Sequence, residues 1–263
     1  MIKNKINLKN KYLLFMLFII FLFIFFFLYR DYKLKETTNI RLNNINKLLN
    51  KEKVEEIKKL KNNIKNKNIF LKNLDLKTDS SLTKFVSAKV PFNNKKYIPE
   101  NLVSISTEFI IDWKWWVQKL RKEAKEALNN MAKNYYRDTW KKIIVVSAYR
   151  SYLYQKWIKD RWCPDNLCAK AGYSEHQSGL AVDLWAASTN NDWNKSKVFK
   201  SRYKWLKDNA YKYWFTNTYQ KWIDIDTYDI EPWHWRYVWE KLAKYLLDNN
   251  LTIAQFYNKM EQH

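Results

Sequence analysis

Leu13 to Tyr29, LLFMLFIIFLFIFFFLY, is an unbroken apolar run of 17 residues with no charge, glycine or proline. A helix built from it is long enough to cross a bilayer. Signal peptides have a shorter apolar core and a small-residue cleavage site, whereas this run passes directly into Arg30, Asp31, Tyr32 and Lys33. An uncleaved signal anchor over 13–29 is therefore predicted. Lys3, Lys5, Lys9 and Lys11 precede the run, and the basic residues after it are interrupted by Asp31 and Glu36. That bias makes residues 1–12 a cytoplasmic basic tail and places the rest of the chain outside the cytoplasm. Past residue 30 the apolar positions thin to Ile45, Leu48, Leu49, Val54, Ile57, Leu60 and Ile64, in a Lys-, Asn- and Glu-rich background. Near-helical spacing of so few apolar residues predicts a polar, partly helical stalk over 30–83.

From residue 84 the pattern changes, and all four prolines and every tryptophan lie beyond that point. Residues 84–263 form the predicted globular domain. Apolar positions at Trp116, Leu120, Ala124, Leu128 and Met131 predict a helix from Trp113 to Asn134. IIVVSAY, Ile143 to Tyr149, reads as a buried strand. Further helices are expected over Ser151–Trp162, Phe199–Tyr213 and Glu240–Asp248, and further strands over Ala181–Trp185 and Trp233–Val238. Strands and helices that mix without strict alternation imply an α+β fold, with helices packed on a small, mostly antiparallel sheet.

The formal net charge of +22 is spread along the whole chain. No clustered basic face emerges, which argues against a nucleic-acid binder. Solvated lysine faces, or attraction to anionic lipid and wall polymers, account for the excess. Cys163 and Cys168, in CPDNLC, are the only cysteines. Outside the cytoplasm a disulfide closing this short loop is expected, and a structural zinc site would need a second cysteine pair that the chain lacks.

Three histidines are available as metal ligands, and His263 is the terminal residue. His176 and His234 each have carboxylates nearby: Asp183 follows His176 by seven residues and Glu231 precedes His234 by three. Two imidazoles and a carboxylate with an open position for water make a catalytic zinc set, and an unligated carboxylate can act as general base. Gly179 can turn the chain so that Asp183, on the next strand, faces back to His176. In one regular strand Glu231 and His234 would point to opposite faces, so Pro232 is expected to hold Glu231 at the strand entry.

SAYRSYLYQ (Ser147–Gln155), GYSEHQSGLAVDL (Gly172–Leu184) and EPWHWRYV (Glu231–Val238), in that order, resemble the signature of the zinc D-alanyl-D-alanine carboxypeptidases of the VanY type. KYIPENLV (Lys96–Val103) is similar to the segment that opens that domain. The resemblance covers residues 95–249. It implies one zinc held by His176, Asp183 and His234, with Glu231 as catalytic base. It also implies Arg150 as a substrate and transition-state contact, supporting substrate roles for Ser174 and Gln155, and a peptidoglycan stem peptide as substrate. L,D-carboxypeptidases and endopeptidases share similar motifs.

Average glycine usage of about 7% would give about 18 glycines. The chain has two, Gly172 and Gly179, against 14 tryptophans. Trp214 and Trp239 stand where the family pattern carries glycine, and Trp140 and Trp222 where a turn glycine is natural. We expect that the source reads UGA as glycine and that these tryptophans are native glycines. The competing reading is a tryptophan-rich surface that stacks on sugars.

Overall fold

The computed structural model describes residues 8–161, 163–185, 195–221 and 225–262. The predicted tail as far as residue 7, Trp162, Trp222 and His263 lie outside them. The chain divides into two units, Met1–Lys72 and Asn73–His263.

In the first unit, α1 (Leu8–Lys72) is one continuous helix of 65 residues. Of the stretch 30–83 expected to be partly helical, the part up to Lys72 is continuous helix, where i,i+3 pairs such as Lys33–Glu36 and Glu55–Lys58 support the polar face, and residues 73–83 are turns that belong to the second unit. Among the described residues, α1 is the helix long and apolar enough to cross a membrane, by length and composition.

The second unit contains β1 (Leu102–Ser104), β2 (Ile110–Asp112), β3 (Lys119–Arg121), α2 (Lys122–Thr139), β4 (Ile143–Ser147) and α3 (Tyr152–Lys159). After a 3-10 turn at Glu175–Ser178 come β5 (Ala181–Leu184), α4 (Lys197–Asn209), β6 (Phe215–Asn217), β7 (His234–Tyr237), α5 (Glu240–Asp248) and α6 (Ile253–Glu261). The main sheet has the order β2-β4-β5-β7-β6. Only β2 and β4 run parallel in it, so the sheet is mostly antiparallel, as expected for this α+β fold. Helix α2 buries Ala124, Leu128, Met131 and Tyr135 against Ile143, Val145, Leu184 and Phe215 of the sheet.

One expected helix begins nine residues later than its apolar spacing suggested and runs on to Thr139. The stretch 113–121 is a bend followed by β3, and α2 starts only at Lys122. The Asp112 carboxylate accepts from the backbone N–H of Lys114 and Gln118 at 3.1 and 2.9 Å, and β3 pairs antiparallel with β1. A local side-chain competitor and a strand partner thus outbid the helical ladder there. Helix α6 was not read from the sequence at all, although Thr252 and Gln255 form a capping box at its start.

Candidate metal centre

The sheet register builds the site. Ser147 lies opposite Asp183 across β4 and β5, and Asp183 lies opposite His234 across β5 and β7. Strand side chains alternate faces, so three residues in cross-strand register form one row on one face of the sheet. His176 joins the row from the turn before β5. Gly179 ends that turn at φ 68° and ψ 19°, with its N–H bonded to the His176 carbonyl. That left-handed backbone calls for glycine, and a Cβ there would also press on the Leu102 side chain, 2.9 Å from Cδ2.

His176, Asp183 and His234 are all buried, and one donor atom from each falls within 4.8 Å of the others. His176 Nδ1 donates to the Ala148 carbonyl at 2.7 Å, which leaves Nε2 facing Asp183 Oδ1 at 3.2 Å. His234 presents Nδ1 to the same oxygen at 3.0 Å, while its Nε2 lies 2.8 Å from Glu175 Oε2. Each imidazole is thus held by one nitrogen and free to ligate with the other, the arrangement seen around protein zinc. Burial, reinforced by Arg150, pulls the His176 pKa down to about 4 and keeps its ring neutral. Burial also works against the charged form of His234, but hydrogen bonds to Asp183 and Glu175 outweigh it and raise its pKa to about 10. A metal would take the place of the proton on Nδ1. The donor set suits zinc: two imidazoles and one carboxylate, with a position left open.

Glu231 sits before β7 in the turn that Pro232 opens, as expected, with the His234 N–H bonded to its carbonyl. Its Oε2 comes within 4.0 Å of His234 Nδ1. Asn217 pins the turn by donating to the carbonyls of Glu231 and His234 at 2.8 and 2.6 Å. Burial raises the Glu231 pKa to about 8, Asp183 adding to it while His234 and Arg150 oppose it.

Arg150 is fixed on three sides. It donates to Ser147 Oγ at 2.9 Å, Gln155 Oε1 at 3.1 Å and Asp183 Oδ2 at 2.7 Å. Gln155, fully buried, also donates to the Ala169 carbonyl, so it orients Arg150 and stands behind it. Ser174 lines the cleft directly, with Arg150, Glu231, Tyr154, Lys114 and Trp233. This cleft has a volume of about 620 Å³. Cys163 and Cys168 form a disulfide, as expected, and Cys168 lies at the cleft wall. Sequence reasoning assigned no role to Glu175, Asn217, Thr218 or Arg236. Glu175 lay inside the quoted motif, where its neighbour His176 drew the attention.

The VanY model, D-alanyl-D-alanine carboxypeptidase, matches residues 117–240. YodJ of Bacillus subtilis, named as a carboxypeptidase, is 37% identical over 174 residues, covering 63% of this chain and 63% of its own length. The chain thus spans a little under two thirds of that relative. The solved LdcB LD-carboxypeptidase is 34% identical with a TM-score of 0.58, covering 69% of this chain and 87% of its own. VanYB, solved in complex with D-Ala-D-Ala, is 23% identical with a TM-score of 0.50, covers 66% of this chain and 96% of its own, and supports the fold alone. Two histidines and an aspartate gathered by the sheet and the turn before β5, a matching family model and a solved relative covered over most of its length agree on one assignment: the chain belongs to the VanY family of carboxypeptidases.

Proposed function

We propose that this chain is a zinc carboxypeptidase that removes the terminal D-alanine from peptidoglycan stem peptides, held at the membrane by the apolar part of α1 with its globular unit outside the cytoplasm. The observation that carries the reading is the convergence of His176, Asp183 and His234 beside Glu231 and Arg150 in one cleft. Zinc in such a set supplies Lewis acidity and lowers the pKa of bound water to about 7. Glu231 takes the proton of the attacking water and returns it to the leaving amine. Arg150, permanently charged and held by Ser147 and Gln155, binds the free carboxylate of the peptide end or the oxyanion formed on attack. Ser174 shapes the cleft beside them.

The likeness to an LD-carboxypeptidase at 34% identity favours one second reading, removal of the terminal residue from a tetrapeptide stem. Full-length protein in detergent, supplied with zinc, is incubated with muropeptides of defined stem length, and the released residue is identified. Pentapeptide losing one D-alanine supports the D,D reading. Pentapeptide left intact while tetrapeptide is trimmed transfers the assignment to L,D; no release from either overturns both.

A further inference from the structure

We propose that Glu175 is a positioning residue that presents His234 to the metal through Nδ1, with Arg236 as its built-in counter-ion; the proposal rests on the zinc reading above. Glu175 is 1% exposed. Its Oε2 accepts from Thr218 Oγ1 at 2.8 Å and faces His234 Nε2 at the same distance. Its Oε1 accepts from Arg236 at 3.2 Å. With both oxygens committed, Glu175 is not available as a proton shuttle, which leaves that task to Glu231. Arg236 sits two residues after His234 on β7 and so shares its face of the sheet. It is fully buried and also donates to the Lys84 and Tyr237 carbonyls. A buried carboxylate that carried only a histidine would be costly, and the guanidinium offsets that cost while leaving Oε2 for the imidazole. A carboxylate on the far nitrogen fixes the tautomer and raises the basicity of the ligating one.

The test reads the imidazole directly. Nitrogen-15 NMR of the zinc-loaded full chain is expected to show His234 protonated at Nε2 and metal-bound at Nδ1. Glu175→Gln is expected to weaken zinc about 10- to 100-fold in a chelator competition, in protein with unchanged near-ultraviolet circular dichroism. Zinc on His234 Nε2, or a folded Glu175→Gln variant with wild-type zinc affinity, overturns the role of Glu175 alone. Failure of the wild type to take up zinc overturns the metal reading with it. If Glu175→Gln does not fold, the wild-type ring assignment decides.

Backbone conformation carries a second inference independently. We infer that Trp140, Trp185, Trp214 and Trp239 are glycine positions of this fold, decoded from UGA as glycine in the source. Among the described residues seven non-glycines have positive φ, and four of them are these tryptophans; both true glycines do too. A bulky residue at positive φ is a genuine outlier. Trp140 and Trp214 end helical segments at φ 56°, ψ 25° and φ 66°, ψ 25°, the conformation helix ends reserve mainly for glycine. Trp239, at φ 70° and ψ 155°, lies in a region that is essentially glycine-only. Trp185 is 1% exposed and its indole N–H has no hydrogen-bond partner among the described residues, a cost that glycine would not incur. Trp233 and Trp235 have no positive φ and serve as internal controls. Peptide mass spectrometry of the protein isolated from its source, read beside the gene, is expected to show glycine and UGA at all four sites and tryptophan and UGG at Trp233 and Trp235. UGG codons or tryptophan masses at the four sites overturn the inference.

Discussion

Replacing Trp239 tests the backbone argument in the chain as written. Trp239 is the residue that precedes α5, and it is 38% exposed. A Trp→Gly change alone mixes two effects, since it relieves strain and removes ring contacts. Comparing Trp239→Gly with Trp239→Ala separates them, because both lose the ring and only glycine loses the Cβ. A residue forced into this region costs about 1–3 kcal/mol. Glycine returns about 0.4–1 kcal/mol of that through the greater freedom of its unfolded chain. The net expectation is that Trp239→Gly is more stable than Trp239→Ala by about 0.5–2 kcal/mol. For a unit of this size that corresponds to a Tm higher by roughly 1–8 °C. Thermal melts of the full chain in detergent, followed by near-ultraviolet circular dichroism, report the globular unit, where the described tryptophans lie. Equal Tm values for the two variants would refute the reasoning, and so would a more stable alanine variant. Trp140, which is 79% exposed, provides the same comparison with almost no ring packing to lose.

Other consequences concern the site and its surroundings. Glu231→Gln is expected to lower turnover about 10²- to 10⁴-fold while the protein still binds one zinc by metal analysis; near-normal turnover removes Glu231 as the base. Arg150→Lys keeps the charge but not the three-sided hold on Ser147, Gln155 and Asp183, and kcat/KM for a peptide substrate should fall about 10²- to 10³-fold. A rate within twofold of wild type would rule out the proposed contact. Asp226 is buried, and neither carboxylate oxygen has a hydrogen-bond partner among the described residues; burial, with Glu175 adding to it, raises its pKa to about 8. A carboxyl whose folded pKa exceeds the unfolded value of about 3.9 favours folding only while protonated, so it costs stability progressively as pH rises from about 4 to 8. Asp226→Asn should therefore stabilise the metal-free protein near pH 8, by on the order of 5 kcal/mol at most, read as a higher Tm, and by much less near pH 5. The same gain at both pH values would contradict this account.

How much of this was legible from the residues differs between elements. The apolar run at 13–29 and the strands at 143–147 and 234–237 were readable because their patterns are continuous and local. The short loop between Gly172 and Asp183 was readable for another reason: a histidine, a turn glycine and an aspartate at that spacing have few ways to meet. The stretch 113–121 was misread because helical spacing says nothing of a carboxylate at 112 that captures the next backbone N–H groups. Arg150's partners became visible only when Ser147, Gln155 and Asp183, up to 33 residues away, met at one guanidinium. Glu175 and Arg236 were opaque for the same reason, since their ion pair spans 61 residues. Three of the four tryptophans at positive φ had been flagged by composition and family pattern. Trp185 escaped because it continues an apolar strand, and only its backbone angle and stranded indole N–H set it apart.

The central claim is that one zinc at His176, Asp183 and His234 works with Glu231 to release a terminal residue. Its most direct test is to strip the full-length protein with a chelator, titrate zinc back, and follow release of D-alanine from a pentapeptide muropeptide. The account predicts no release without metal and a rise to a plateau at one zinc per chain. Release that persists in metal-free protein, or its absence when one zinc is bound, would contradict it.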